Sequence, residues 1–463
     1  MSDRTVSFAN APIEIIDGDR GVNYPQKSEF KSEGYCLFLN TSNVTSSGFN
    51  FSSMDFISKE KDEILRKGKL QRGDIVLTTR GTVGNVAYYD DEVPYQNLRI
   101  NSGMIILRID KSKLNPYYLY LFLRSNLFKN QVISQGSGSA QPQLPIGSLK
   151  FIHINWTELS TQNRIVSVLS AIDYKIALNN RINTELEAMA KTVYDYWFVQ
   201  FDFPFDFAST SLSNNAQGKP SAEGKPYKSS GGKMVWCEEL KREVPEGWEV
   251  DNLLKVSNLE GGGTPNKAID EYWNGEISFY TPSDYTNSLF VMKTESSITK
   301  IGLKNCSSKL FPKGSIFITA RGTVGNVSIA SENMAMNQSC YAFCEKKEYS
   351  YCYLYYTVSS LINVLKAKSG GSVFNSIVSN DIKHTNLPIP PENVAKEYKE
   401  ICDPIFSKIL VNQQENQQLS SLRDWLLPML MNGQVMPLAP KGEQEEEWNG
   451  MMAAEPRERY GEK

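Results

Sequence analysis

The residues best suited to chemistry are an arginine and a threonine in a glycine-bounded block. Arg80-Gly81-Thr82-Val83-Gly84-Asn85-Val86 offers a guanidinium, a hydroxyl and a backbone freed by two glycines. Those groups suit a phosphate oxygen or the edge of a base. They equally suit a structural turn in which Arg80 staples a loop to the fold. Little else invites catalysis. There is no Gly-x-x-x-x-Gly-Lys-Ser/Thr loop, and Gly261-Gly262-Gly263-Thr264-Pro265 reads as a turn with nothing phosphate-specific beside it. The Asn-Pro-Pro-aromatic motif of adenine methyltransferases and a glycine-rich methyl-donor loop are also absent. Cys340, Cys344 and Cys352 cluster without a nearby histidine, so the seven cysteines read as core thiols of a reducing cytosol rather than as zinc ligands. The sequence therefore predicts no catalytic residue, no cofactor and no metal site. A reader or a scaffold is favoured over an enzyme.

The block occurs twice. It returns unchanged as Arg321-Gly322-Thr323-Val324-Gly325-Asn326-Val327, with Lys309-Leu310 before it where Lys69-Leu70 precedes the first copy. The offset is 241 at the block and 233 from Gly138/Gly371 through Lys175/Lys408, Asn179/Asn412, Asn183/Asn416 and Leu186/Leu419, so the second copy is eight residues shorter in one loop. His153 and His384 face Asn386 and Phe151 in the other copy, so neither duplicated site can rely on histidine. A duplication of this length makes two domain-sized copies rather than a solenoid.

The elements that must position the block follow from patterning. Tyr35–Leu39, Asp74–Thr78, Asn85–Tyr89 and Met104–Arg108 are β-branched and aromatic runs punctuated by glycine and asparagine, which predicts strands with the block at a strand–turn–strand corner. A helix is predicted to open at Pro116, with its counterpart at Tyr351–Tyr356. From residue 157 apolar residues recur at three-four spacing, predicting a helix of about 40 residues and roughly 60 Å. Asn179 and Asn183, and again Asn412 and Asn416, sit at seam positions, where polar residues fix the register of a coiled coil. The fold class is thus α+β: two mixed globular domains joined by two long antiparallel helices, with one domain expected at each end. The domains expected are 1–156 and 244–390, the helices 157–200 and 391–432, a linker 201–243 and an acidic tail 433–463 that matches nothing assignable and is expected to be disordered.

Charge limits the partners. Lys+Arg number 49 and Asp+Glu 52, and the excess of acid lies in residues 441–463, leaving residues 1–440 neutral. Binding of nucleic acid by bulk charge alone is disfavoured. Local patches remain, notably 293–321, with five lysines and Arg321 against Glu295. Arg80, Thr82, Lys69, Arg321, Thr323 and Lys309 are the candidate DNA contacts. Identity of the two blocks favours framework or phosphate positioning over base readout, since two different half-sites would need different readers. No 18-residue apolar run occurs and the N-terminus has no apolar leader, which predicts a cytoplasmic protein without a membrane partner.

Taken with Gly-Ser-Ala-Gln-Pro-Gln-Leu (138–144), Gln-Asn-Arg-Ile-Val-Ser-Val-Leu (162–169), Tyr-Asp-Tyr-Trp-Phe-Val-Gln-Phe-Asp-Phe-Pro (194–204), Lys-Pro-Tyr-Lys-Ser-Ser-Gly-Gly-Lys-Met-Val-Trp (225–236) and Val-Pro-Glu-Gly-Trp (244–248), the blocks resemble the specificity subunit of a type I restriction-modification system. The resemblance covers residues 10 to 435. It implies two target-recognition domains, each reading half of a split double-stranded DNA site. Helices act as a ruler and dock two modification subunits that methylate adenine, and ATP-dependent restriction subunits join them. The first domain lacks the Pro-Glu-Gly-Trp opening, and Val373-Phe374 stands where the first copy has Ala140-Gln141. The competing readings are a methyltransferase or nuclease of unfamiliar motif, and a coiled-coil adaptor without sequence-specific DNA binding.

Overall fold

The apolar runs picked out above become the interior strands of two sheets. A computed structural model of the chain describes residues 5–135, 143–206, 224–346, 349–368 and 376–437. These divide into two units, Met1–Ile176 with Gln418–Lys463, and Ala177–Gln417.

In the first unit, Ile13–Asp17, Met104–Ile109, Ile75–Thr78 and Val86–Tyr88 form an antiparallel sheet in that order. A second sheet sets Cys36–Leu39 between Phe56–Ile57 and the parallel strand Leu98–Ile100. Helix Pro116–Arg124 opens at its proline under an Asn115 cap and buries Tyr118, Leu119 and Phe122. The second unit repeats this plan. Ser257–Gly261, Cys340–Glu345, Ile316–Thr319, Val327–Ala330 and Phe290–Val291 make the larger sheet, and Trp273–Tyr280 lies between Ser296–Ile298 and Ala335–Met336 in the smaller. The registers correspond: Met104 faces Thr78 as Cys340 faces Thr319.

The long helices span Leu159–Tyr194 and Glu392–Met431, and a single π turn, Asp195–Val199, follows the first. They run antiparallel within each unit. In the first, Asp173 meets Arg423 and Asn155 meets Met431. In the second, Asn179 meets Asn416 and Asn183 meets Asn412.

Much of the expected linker is ordered structure. Pro204–Phe205 pairs with Lys225–Pro226, and Met234–Cys237 forms a hairpin with Arg242–Pro245. Phe201, Phe203, Phe205 and Tyr227 are fully buried, with Phe203 stacked on Tyr227 and on Trp248. Average composition concealed this, because a few aromatic side chains supply the apolar area that their Ser/Gly/Lys-rich neighbours lack. Residues 207–223, the glycine corners at 138–142 and 371–375, and the tail from 438 lie outside the described residues.

Candidate nucleic-acid interface

Each heptapeptide is a turn closed by its own backbone. The Thr78 hydroxyl donates to the Thr82 carbonyl and accepts from Asn85 N at 3.0 Å, while Gly84 N donates to Thr78 O at 3.0 Å. In the second unit, Thr319, Thr323, Asn326 and Gly325 make the same bonds, at 3.0 Å and 2.8 Å for the latter pair. Gly81 and Gly84 take φ of 72° and 91°, and Gly322 and Gly325 take 83° and 87°. A side chain at these positions would be strained, so the glycines are conformational requirements of the turn. One flank of the corner is tied down twice over. Arg80 N donates to Gly103 O and Arg321 N to Ser339 O, both at 3.2 Å, and Leu144 N and Ile377 N close on Thr79 O and Ala320 O at 3.0 Å.

The backbone thus makes the staple, and the side chains do not. Arg80, Thr82, Arg321 and Thr323 are exposed, and none of their side chains has a hydrogen bond or ion pair to a described residue. The two lysines are placed differently. Lys69 Nζ reaches the buried Asp62 carboxylate, and Lys309 Nζ holds Glu260 at 2.9 Å on the surface. They are not equivalent positions. Leu70 N donates to Leu98 O as Phe311 N donates to Met334 O, so Lys69 matches Leu310 and Lys309 matches Gly68. Pairing Lys69 with Lys309 by sequence was one residue out of register.

Behind the matching scaffolds the interiors differ in charge. Asp62 follows the Ser58 cap of one short helix as Leu303 follows the Thr299 cap of its counterpart. In the first unit, Asp62 binds Arg99 Nε at 2.5 Å, and Arg99 also donates to the carbonyls of Asp62, Leu65 and Lys67 at 2.6, 3.0 and 2.7 Å. Burial would raise the Asp62 pKa, but hydrogen bonds from Lys69 and Arg99 outweigh it and hold the carboxyl below its ordinary value. In the second unit the corresponding Leu303 and Ala335 pack with Ile277, Phe279 and Ile298. Two more exchanges follow the same rule. Asp74 and Arg108 are an ion pair at 2.7 Å where Ser315 and Cys344 stand in the second unit. Asp173 and Arg423 are paired at 2.8 Å where the repeat has Phe406 and Ala190, both fully buried.

The seam asparagines share one repeated bond, and beside it Asn179 also donates to Glu415 Oε2 and Asn416 to Asn180 Oδ1, each at 2.8 Å. Asn179 Nδ2 donates to Asn416 Oδ1 at 2.9 Å, and Asn412 Nδ2 donates to Asn183 Oδ1 at 2.8 Å. Since Asn179 and Asn412 are repeat equivalents, as are Asn183 and Asn416, the same position donates and the same position accepts in both bonds. Asn179, Asn183 and Asn412 are buried, so a shifted register would strand them without partners.

A family model described as type I restriction modification DNA specificity domain matches residues 14–188 and again 245–421. The chain belongs to this family. Its two copies are the two matches, so the tandem α+β architecture is that of a type I specificity subunit. Among curated relatives, the HindI specificity subunit of Haemophilus influenzae is 25% identical over 90% of this chain and 98% of its own length. The MjaIX specificity subunit of Methanocaldococcus jannaschii is 29% identical over 79% of this chain and 78% of its own. The crystal structure of the type I S subunit from M. genitalium superposes with a TM-score of 0.53 at 14% identity, over 92% of this chain and 96% of that one, which establishes a shared fold. Among the described residues of this specificity subunit, no group of three or more His, Cys, Asp or Glu could hold a metal ion, and no helix is long and apolar enough to cross a membrane.

Proposed function

We propose that each unit reads one half of a split double-stranded DNA site, and that the chain itself performs no catalysis. The observation that carries this is the pair of identical turns, each presenting an exposed arginine and threonine whose side chains have no hydrogen bond or ion pair to a described residue. A guanidinium held at such a corner and bonded to no described residue is poised for an external anion or base edge. Identity across two units suits a contact that all DNA shares, so Arg80, Thr82, Arg321 and Thr323 are assigned to phosphate positioning. Lys309, 63% exposed, adds to the rim of the second unit, and its surface pair with Glu260 is cheap to open. Lys69 contributes less, because Asp62 neutralises it.

The recognition domains are assigned to 1–156 and 244–390, and the helices to 157–200 and 391–432. The helices set the gap between half-sites and dock two modification subunits, with restriction subunits joining, in the cytoplasm. Supporting the docking role, exposed apolar side chains recur at the repeat offset: Val168 with Ile401, Leu178 with Val411 and Met189 with Leu422. With Tyr174 and Trp425, they fall on each helix within about 120° of its circumference. Two equivalent apolar faces suit two copies of one partner.

Methylation sequencing of cells with and without this chain, with its modification subunit present, tests the assignment. A bipartite adenine-methylated motif that disappears on deletion is expected. Unchanged methylation with an active modification subunit would refute it and favour an adaptor.

A further inference from the structure

Resting on that reading, we propose that the specificity-determining side chains stand beside the twin arginines: Arg20 in the first unit, reading a guanine, and Thr264 with Gln338 in the second, reading an adenine. The scaffold under them is the same. Gly18 lies so close to Asn101 that a Cβ would meet its carbonyl oxygen at 2.3 Å, and Gly262 meets Asn337 in the same way at 2.1 Å. Asn101 N donates to Leu39 O and Asn337 N to Tyr280 O, each at 3.0 Å. The asparagine side chains then accept from Gly103 N at 2.9 Å and from Ser339 N at 3.0 Å. Those residues are the ones whose carbonyls hold Arg80 N and Arg321 N. The backbone of the corner and its neighbouring loop is therefore bonded alike in the two units, and Arg80 is the counterpart of Arg321.

What changes is what stands on it. Counting from the paired glycines, Asp17, Arg20 and Ser102 in the first unit are replaced by Gly261, Thr264 and Gln338 in the second. Arg20 lines, with Arg80 and Gln143, a cavity of about 240 Å3. Its guanidinium is held by Asp17 at 3.0 Å and by Ser102 O at 3.4 Å, and it remains 47% exposed. An arginine oriented by a carboxylate keeps free N–H groups in a fixed plane, the geometry that meets O6 and N7 of guanine. In the second unit the Thr264 hydroxyl donates to Gln338 Oε1, and the exposed carboxamide NH2 bonds to no described residue. A glutamine pinned this way carries no charge and matches the donor–acceptor edge of adenine. Two half-sites of different sequence need this combination, a common anchor beside unlike readers.

The test is binding and methylation by the complex of this chain with its modification subunits, using duplexes with single-base changes in each half-site. Arg20→Ala should erase a preference of about 10- to 100-fold for guanine at one position of the first half-site, leaving the second half-site untouched. Arg20→Lys should recover affinity but only part of the guanine preference, because an ammonium can reach O6 and N7 but lacks the fixed planar fork. The graft Gly261→Asp/Thr264→Arg/Gln338→Ser should confer a guanine preference on the second half-site, and a Cβ at Gly261 meets nothing within 4 Å. Arg20→Ala weakening all duplexes equally would make Arg20 a phosphate contact and overturn the proposal, as would no effect. A wild-type complex that methylates no defined motif would instead overturn the DNA-reading function itself.

Discussion

The buried Asp62–Arg99 pair in the first unit makes a quantitative prediction, because the second unit supplies the control. Arg99 is 5% exposed and Asp62 1%, and Arg99 satisfies three backbone carbonyls besides the carboxylate. Arg99→Ala therefore strands a buried anion, for which about 3–5 kcal/mol is expected, partly relieved by Lys69. Asp62→Leu strands the guanidinium at a similar cost. Together the two changes recreate the Leu303–Ala335 contact, and replacing a buried pair by packed apolar residues is often neutral. The double variant should thus lie within about 2 kcal/mol of wild type, giving a coupling energy of at least 3 kcal/mol. Unfolding of a two-unit chain is not two-state, so the measurement is hydrogen exchange of the amides of Cys36–Leu39, read by mass spectrometry in the full-length protein. Additive losses in the double variant, or an Arg99→Ala cost below about 1 kcal/mol, would refute the reasoning.

Four further outcomes are expected. Arg80→Ala or Arg321→Ala should leave thermal stability unchanged, since neither side chain bonds to a described residue. Each should weaken DNA binding by roughly 1–3 kcal/mol and lower the salt slope by about one, and a destabilised variant would restore a structural role. Asn179→Ala and Asn412→Ala should each cost about 1–3 kcal/mol, with Asn179→Ala the costlier because it also removes the donor to Glu415; no loss in chemical denaturation from either would contradict the seam role. The lowered Asp62 pKa means its stabilisation is complete above the ordinary carboxylate range and is lost as pH falls through the lower folded value. Protection of amides in the first unit, relative to their intrinsic exchange at each pH, should therefore fall in acid before that of the Ile277–Phe279 region, and the Asp62→Leu/Arg99→Ala double variant should remove the difference. Finally, inserting four residues after Asn180, matched by four in the C-terminal helix, should lengthen the preferred gap between half-sites while leaving both half-sites intact, as read by methylation sequencing.

Strand and helix positions could be read in advance wherever the pattern is local. Ile75–Thr78 and Met104–Ile109 declared themselves by β-branched runs, the helix at Pro116 by its proline, and the seam asparagines by recurrence at a fixed offset. The turn, too, was readable from Gly81 and Gly84. Interactions that join distant segments were not. Asp62 and Arg99 are 37 residues apart, with no periodicity linking them. Arg20 meets the Arg80 corner only because Gly18 packs against Asn101. The Lys-Leu pairs at 69 and 309 lie one position apart in the folded frame, as the 241-residue offset of the block and the strand hydrogen bonds both require. Tyr227 was hidden in a stretch whose composition says linker.

The exchange of charged pairs for uncharged ones between otherwise matching interiors also gives the two units different thermal characters. The desolvation cost of burying ions falls as temperature rises, whereas apolar stabilisation per unit area levels off. Warming therefore favours the first unit, with Asp62–Arg99, Asp74–Arg108 and Asp173–Arg423, relative to the second, with Leu303, Ala335, Ser315, Cys344, Phe406 and Ala190 in their places. Because recognition of a split site requires both halves, the upper temperature limit of specificity is set by whichever unit opens first. A chain built from two copies of one fold would in this way lose one half of its target before the other.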